Sequence, residues 1–195
     1  MAESEGEHRQ TIDSPARQTI LTTDRLELRP TGPEMFEGIW SAVKASLNEL
    51  QLWMAWAVDA KENGTFDFLQ KSAAEWRTGN DRHFTLFFRG EASGQCGLTR
   101  GDPLLMSAEI GYWLRSDLCG RGLISEAANE VVTFGFEQEG LHRIELRAGV
   151  NNHGSNRVAE KLGFTRRGTL RDASRAAHGF YDCYVYDLLV TDPRP

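Results

Sequence analysis

Two glycines, Gly120 and Gly122, stand between an apolar segment rich in aromatic residues and a segment with helical periodicity. The first amides of a helix have no partner within the helix, and the helix dipole adds about half a positive charge at that end. Glycine also lets an anion approach the backbone closely. This junction is therefore suited to bind a phosphate, and Arg121 either contacts that phosphate or extends into solvent.

The sequence around these glycines departs from two common nucleotide-binding motifs. A dinucleotide-binding turn has the pattern GxGxxG and follows the first strand of its domain. Here Ser125 occupies the third glycine position, and the preceding strand is the fourth one predicted. The GK[ST] pattern of a phosphate-binding loop is also absent from the sequence. These departures disfavour a nicotinamide-dependent oxidoreductase.

A second polar motif begins at Asn152. Asn152 is suited to cap a short helix, and Gly163 is suited to end it in the left-handed conformation. Val158 and Leu162 have the spacing of the buried face of that helix. A structural helix explains these four residues, but it does not explain Ser155, a hydroxyl in the first turn. Ser155 is therefore a candidate for chemistry.

Strands and helices must position these two motifs. Alternating side chains predict strands near 20–29, 83–89, 95–100, 107–115, 142–150, 164–170 and 180–190. Helical spacing predicts helices that begin at Pro33, span about 65–78, run from Gly122 to near Gly140, and follow Asn152. Segment 47–57 is ambiguous, and Gly90, Ser93 and Gly94 predict a turn. This order predicts an α/β fold, a mixed sheet with helices on both faces.

Length and composition predict one folded domain. The chain has 195 residues, 40% of them hydrophobic, including 10 Phe and 5 Trp. Residues 1–17 are polar and lack the apolar core of a signal peptide, so we predict a disordered leader followed by a domain over 18–192. A net charge of −6 disfavours a nucleic-acid-binding protein. No apolar run approaches the roughly 18 residues of a membrane span.

The cysteines and histidines limit the possible chemistry further. Cys96, Cys119 and Cys183 are odd in number, far apart and in no CxxC pattern. We expect free thiols in a reducing compartment, and so a cytoplasmic protein. The histidines show no metal-ligand spacing, so no metal site is predicted.

The two motifs and their flanks together resemble the GNAT acyltransferases, and more narrowly the RimJ/RimL-type protein N-acetyltransferases. The residues that carry the resemblance are EIGYWL at 109–114, GRGLISEA at 120–127, NHGS at 152–155 and EKLGF at 160–164. Flanking segments extend it: TDRLELRP at 23–30, LQLWMAW at 50–56, GTLR at 168–171 and DLL at 187–189. The resemblance covers about residues 19–190, although Asp117 stands where this group usually has Gln or Arg.

The resemblance implies a mostly antiparallel, twisted sheet with a splay between the fourth and fifth predicted strands. It implies coenzyme A as the ligand, carried as the acyl thioester acetyl-CoA. Backbone groups near Trp113 and Leu114 would pair with the pantetheine arm as an added strand does. The residues implied in cofactor binding are Trp113, Leu114, Cys119, Gly120, Arg121, Gly122, Leu123, Ile124, Ser125, Asn152 and Ser155.

The chemistry implied is direct attack of an amine on the thioester, which needs a base, an oxyanion donor and a proton for the thiolate. A backbone amide near Leu114 is the oxyanion donor that the resemblance suggests. Ser155 is the implied proton donor, because Ala159 stands where many members have tyrosine. Glu109 is either the base or a solvent-facing strand carboxylate. Asp172 is the alternative base.

The acceptor stays open at this point. An α-amine with a pKa of about 8 is roughly one-tenth neutral at pH 7, whereas a lysine at about 10.4 is far less so. A weak base therefore suits a protein N-terminus, with a small-molecule amine as the alternative. Trp53 and Trp56 either line the acceptor site or are core or dimer contacts. A larger donor such as succinyl-CoA, a CoA-binding sensor without turnover, and a family-type homodimer also stay open.

Overall fold

The computed structural model describes residues 19–195. The predicted leader, residues 1–17, lies outside the described residues. The strands are β1 (Leu21–Thr22), β2 (Leu26–Pro30), β3 (Arg82–Phe88), β4 (Glu91–Arg100), β5 (Ser107–Leu114), β6 (Arg143–Gly149), β7 (Thr165–Ala176) and β8 (Gly179–Leu189). The α-helices are α1 (Phe36–Ala45), α2 (Leu47–Leu50), α3 (Glu62–Thr78), α4 (Leu123–Glu137) and α5 (His153–Lys161).

The eight strands form one sheet in the order β1-β2-β3-β4-β5-β6-β8-β7. All neighbouring strands are antiparallel except β5 and β6, which are parallel. This confirms the mixed sheet that the element order predicts and the mostly antiparallel arrangement that the resemblance implies.

Helices cover both faces of the sheet, as predicted. Side chains alternate along β5, so Ile110 and Leu114 face one way and Trp113 faces the other. Ile110 and Leu114 belong to a core that includes buried residues of α4 and α5. Trp113 belongs to a second core, with Ile39 of α1 and Leu69 of α3. Both faces of β5 are thus buried.

The splay lies between β5 and β6. Their parallel pairing consists of three residue pairs and ends at Glu109 opposite Glu145. Beyond this point β6 stays paired with β8 up to Gly149, and β5 stays paired with β4 up to Leu114. The facing edges of the two strands are therefore free of each other, which opens a cleft into the sheet. The splay confirms the prediction, since β5 and β6 are the fourth and fifth strands predicted.

Two local predictions need correction. The predicted first strand is a hairpin of β1 and β2, because the Thr23 amide bonds to the Leu26 carbonyl at 2.9 Å and closes a turn. The predicted turn over Gly90, Ser93 and Gly94 is confined to Arg89 and Gly90, since β4 begins at Glu91. Gly94 instead serves close strand packing, because a Cβ there would lie 2.3 Å from the Trp113 carbonyl oxygen.

The ambiguous segment and one strand end are also resolved. Segment 47–57 contains α2 and part of a 3₁₀ turn at Ala55–Asp59. Strand β7 continues past the predicted end at residue 170 to Ala176, with an irregular register between Leu170 and Ser174. Asp172, with a φ of 48°, lies in this irregularity.

Candidate functional site

A cavity of about 290 Å³ opens at the splay. One wall is formed by β5 from Glu109 to Tyr112 and the facing wall by β6 from Leu146 to Gly149. The remaining lining residues are Trp53, Met54, Asn152, Ala173, Ser174, Tyr181 and Cys183. The cavity thus brings together three residues predicted from sequence, namely Glu109, Asn152 and Trp53.

Ser155 does not line this cavity itself, but it bonds to a residue that does. The hydroxyl oxygen of Tyr112 lies 2.9 Å from Ser155 Oγ and 3.4 Å from the Ser155 carbonyl oxygen. Burial raises the pKa of the Tyr112 phenol well above its usual value, so the phenol is protonated at neutral pH. The Tyr112 hydroxyl can therefore donate a proton in a hydrogen bond to Ser155.

Asn152 and Asn156 fix the start of α5 against the splay. The Asn152 side-chain oxygen accepts from the Ser155 amide at 3.1 Å, which confirms the predicted cap. The Asn156 side chain donates to the carbonyls of Gly149 and Val150 at the end of β6, at 3.1 and 3.2 Å. Its own oxygen accepts from the Tyr186 hydroxyl at 3.0 Å. These bonds hold Ser155 in place beside the cleft.

Glu109 stands at the point where the strands separate. Its side chain is 44% exposed, and its Oε2 lies 3.5 Å from Arg147 Nε on the facing strand. Partial burial raises the pKa of Glu109, Arg147 lowers it, and the like charge of Glu145 raises it again. The net direction is upward. A carboxylate with a raised pKa is a better proton acceptor than an ordinary one.

Asp172, the alternative base, is less well placed. It is exposed, and it does not line the cavity, although its neighbours Ala173 and Ser174 do. Its backbone amide donates to Asp182 Oδ1 at 3.0 Å.

The predicted phosphate-binding turn has the geometry of an open helix start. Gly120 and Gly122 have φ values of 77° and 78°, in the left-handed region where glycine is favoured. Helix α4 begins at Leu123, and the Glu126 amide bonds to the Gly122 carbonyl at 3.1 Å. The amides of residues 123–125 precede this first helical bond, so they have no partner within the helix. Amides arranged in this way at a helix start can bind an anion.

The side chains of Arg121 and Cys119 in this turn are not arranged to bind a phosphate themselves. Arg121 folds back, and its Nη2 donates to the Asp117 carbonyl at 2.9 Å. Cys119 is exposed, but partial burial of its thiol and the charge of Asp117 raise its pKa. Cys119 is therefore not an activated thiolate. Its contribution to the turn comes from its backbone and not from its thiol.

The hairpin of β1 and β2 holds the turn from one side, a contact that the sequence does not reveal. Arg25 Nη2 lies 2.6 Å from Glu126 Oε2 in the first turn of α4, and Arg25 Nη1 donates to the Arg121 carbonyl at 2.9 Å. The Thr23 hydroxyl also donates to Glu126.

The two predicted tryptophans lie in different cavities. Trp53 lines the splay cavity, its ring 6.0 Å from that of Tyr181. Trp56 is 46% exposed and lines a second cavity of about 390 Å³, its ring 6.0 Å from that of Trp113. Both cavities are lined in part by residues 111 and 112 and by Met54, so they adjoin at β5.

A family model for the acetyltransferase (GNAT) domain matches residues 25–165. The chain belongs to the GNAT acetyltransferases. It is an N-acetyltransferase whose acyl donor is acetyl-CoA. The resemblance drawn from the EIGYWL and GRGLISEA segments is thereby confirmed.

Individual relatives support the same family. The chain is similar to the ribosomal-protein-serine acetyltransferase of Escherichia coli (strain K12), with 26% identity over 174 residues, 89% of this chain and 97% of the relative. Its fold resembles RimL, a ribosomal L7/L12 α-N-protein acetyltransferase solved with coenzyme A (TM-score 0.83, 22% identity, 88% of this chain and 98% of that one). It also resembles MccE, a microcin C7 self-immunity acetyltransferase solved with acetyl-CoA and AMP (TM-score 0.79, 21% identity, 86% and 94%).

Other predicted features can be placed within residues 19–195. The three cysteines are free, with Cys96 and Cys183 buried. In this part of the chain, no group of three or more His, Cys, Asp or Glu side chains could hold a metal ion. No helix of these residues is long and apolar enough to cross a bilayer.

Proposed function

We propose that this GNAT enzyme acetylates the α-amine at the N-terminus of a polypeptide. The observation that carries the proposal is the splay cavity, which has Glu109 at its opening and the Tyr112–Ser155 pair behind it. Glu109 is partly exposed and paired with Arg147, so it is a base of moderate strength. Such a base suits an α-amine, which at neutral pH is neutral far more often than a lysine side chain.

The free edge of β5 and the turn before α4 are the proposed donor site. Backbone groups of Trp113 and Leu114 would pair with the pantetheine amides, and residues 119–125 would bind the pyrophosphate through backbone amides. The cap bond uses the side-chain oxygen of Asn152. Its side-chain nitrogen would contact the pantetheine arm. The thioester would then lie in the splay.

In the proposed reaction the amine nitrogen attacks the thioester carbonyl carbon, which forms the amide bond and breaks the carbon–sulfur bond. Glu109 accepts the proton that the amine loses. A backbone amide near Leu114 stabilises the oxyanion. Ser155 Oγ, oriented by the Tyr112 hydroxyl, donates a proton to the departing thiolate. Solvent then reprotonates Ser155 and takes the proton from Glu109, so that both groups return to their starting states.

Two observations support a protein acceptor over a small molecule. The Escherichia coli relative is named for a ribosomal protein, and it covers 89% of this chain. Tyr181 holds Trp53 at the cavity, its hydroxyl donating to the Trp53 carbonyl at 2.7 Å, which leaves the indole as one wall of the opening. The domain boundaries 18–192, a cytoplasmic location and a homodimer stay predictions from the sequence and the resemblance.

A thiol-release assay with acetyl-CoA tests this function directly. The acceptors are peptides with a free N-terminus, the same peptides with a blocked N-terminus and one internal lysine, and simple primary amines. We expect CoA release to be much faster with the free N-terminus than with simple amines or with the blocked peptide. Release with simple amines but not with peptides would favour a small-molecule acceptor, and CoA binding without any release would favour a sensor.

A further inference from the structure

The second cavity has the lining of a ligand site. It has a volume of about 390 Å³ and lies between β4 and β5 on one side and α1 and α3 on the other. Its apolar lining includes Ile39, Val43, Trp56, Phe68 and Trp113. Small-molecule sites are typically apolar clefts of this size with a few placed polar groups.

One of those polar groups is a buried amide without a partner. Gln95 is 8% exposed and lines the cavity. Its Oε1 accepts from the Trp113 indole at 3.0 Å, and because an indole nitrogen only donates, this bond fixes which end of the amide is the nitrogen. Gln95 Nε2 has no hydrogen-bond partner among the residues that the structure describes. An unpaired buried donor is costly, so it marks a place for an acceptor atom.

Among the residues that the structure describes, the cavity lining offers no free cation to an anionic ligand. Lys61, at the rim, is paired with Asp59 at 2.8 Å. His83, which also lines the cavity, has its pKa lowered by burial, so its ring is neutral at pH 7. The apolar lining therefore fits an uncharged apolar group of the ligand, and the unpaired Gln95 Nε2 fits a carbonyl oxygen next to that group.

The position of the cavity links it to the splay. Gly111, Tyr112 and Met54 line both cavities, and a Cβ at Gly111 would meet no atom within 4 Å. An acceptor with its amine in the splay can thus place a side group in the second cavity.

We propose that this cavity binds the large apolar side chain of the acceptor's first residue, and that Gln95 Nε2 donates to a carbonyl oxygen of the acceptor. The acceptor class is an α-amino acyl compound that begins with a residue such as leucine, methionine or phenylalanine. The inference rests on the proposed function and narrows it.

The test compares acceptors at a fixed concentration of acetyl-CoA, using the full chain. Peptides identical except for the first residue (Phe, Leu, Ser or Gly) are ranked by kcat/KM. Burial of a large apolar side chain favours Phe and Leu over Gly by roughly 10- to 100-fold. Phenylalanine amide is also compared with phenethylamine, which has the same ring and a primary amine but no carbonyl.

Gln95→Met is the main variant, because it keeps the side-chain volume and removes the Nε2 donor. It also removes the acceptor of the Trp113 indole, and phenethylamine turnover measures that second loss. We expect the variant to lower kcat/KM for phenylalanine amide about fivefold more than kcat/KM for phenethylamine, because only the amide offers a carbonyl oxygen to Nε2. The ratio of variant to wild type cancels the difference in amine pKa between the two acceptors. Gln70→Met, an exposed position on α3, is the matched control and should change neither value.

A second variant covers the case in which Gln95→Met does not fold. Gly64 lies in α3 at the cavity, and a Cβ there would meet nothing within 4 Å. Gly64→Leu should lower the preference for Phe over Gly peptides several-fold, and Gly64→Ala should lower it less.

The outcomes separate the two proposals. Turnover of peptides with a flat ranking, or with Gly or Ser preferred, would overturn the apolar-residue site and leave the N-terminal acetyltransferase intact. Acetylation of lysine or simple amines without any peptide N-terminus would overturn the proposed function itself. Acetylation of the amino-acid amide but not of the peptide would assign the same site to a small amino-acyl compound.

Discussion

The hydroxyls of Tyr112 and Ser155 lie 2.9 Å apart, and either of them can be the donor in this hydrogen bond. When Tyr112 is the donor, the Ser155 proton is available to a third atom, and burial, which raises the pKa of Tyr112, keeps the phenol protonated over a wider pH range. That third atom, in the proposed reaction, is the coenzyme sulfur. Ser155 is predictable from its place in a motif, but Tyr112 is not, because an aromatic residue in an apolar strand is typical of a core.

Ser155→Ala should therefore lower kcat by about 100-fold, since general acid catalysis contributes on that order, and should leave the Kd for CoA nearly unchanged. Tyr112→Phe should lower kcat by about fivefold to tenfold, because it removes one hydrogen bond and keeps the ring. Steady-state kinetics and calorimetry measure both. Tyr184→Phe, on β8 and outside the splay cavity, is the control, and normal turnover of Ser155→Ala would remove Ser155 as the donor.

The pH dependence depends on the charges around Glu109. The raised pKa of Glu109 predicts that the acid limb of kcat/KM lies above the pH at which an ordinary glutamate titrates. Arg147 favours the charged form, so Arg147→Gln should shift this limb to higher pH. Glu145→Gln removes a like charge and should shift it to lower pH.

The pH profiles are recorded at low salt, because salt screens the interactions between exposed charges. The same peptide is used throughout, so that the titration of its amine is the same in every profile. Glu109→Gln should remove the enzyme's acid limb. Unchanged profiles in all three variants would exclude Glu109 from the mechanism. Glu109 itself follows from the family resemblance, whereas Arg147 lies on another strand and its proximity emerges only from the fold.

At the scale of elements, the start of α4 is held by glycine conformations and by the β1–β2 hairpin. Gly122 ends the turn with a φ of 78°, and Arg25 ties the hairpin to Glu126 and to the Arg121 carbonyl. The helix boundaries are largely predictable, because caps and glycine stops are local signals. The hairpin is not, since pairing of two strands is a tertiary event and both segments alternate like one strand.

Gly122→Ala should raise the Kd for CoA about tenfold and cost roughly 1 to 2 kcal/mol in the free energy of unfolding, because alanine resists the left-handed conformation. Gly140→Ala is the matched control. It introduces the same strain at the other end of α4, where φ is 64°. We expect a similar loss of stability there with an unchanged Kd. Equal Kd values for both variants, measured by calorimetry, would contradict the phosphate-binding role of the turn.

At the scale of the whole molecule, one carboxylate ties the sheet to the end of α4. Glu139 bonds to Arg82 of β3 at 2.8 Å and also to Arg100 of β4, with its side chain 12% exposed. The α/β class is predictable from the order of strands and helices, and the splay is implied by the family resemblance. The pairing order that places β8 between β6 and β7 is not, because several orders satisfy the same alternation.

Glu139→Ala should lower the free energy of unfolding by about 2 to 4 kcal/mol, because it leaves two partly buried guanidinium groups without their partner. Denaturant unfolding followed by tryptophan fluorescence measures the change. Glu137→Ala, exposed at the same end of α4, should change stability by less than about 0.5 kcal/mol. Equal stabilities of the two variants would show that the network is not a structural tie.

The central claim is that the splay transfers an acetyl group to a polypeptide α-amine, and mass spectrometry of the product tests it most directly. The full chain is incubated with acetyl-CoA and a peptide that has both a free N-terminus and an internal lysine. We predict one acetyl group per peptide, located by fragmentation on the first residue, together with an equal amount of released CoA. Acetyl groups on the lysine alone, or CoA binding with no product, would contradict the claim.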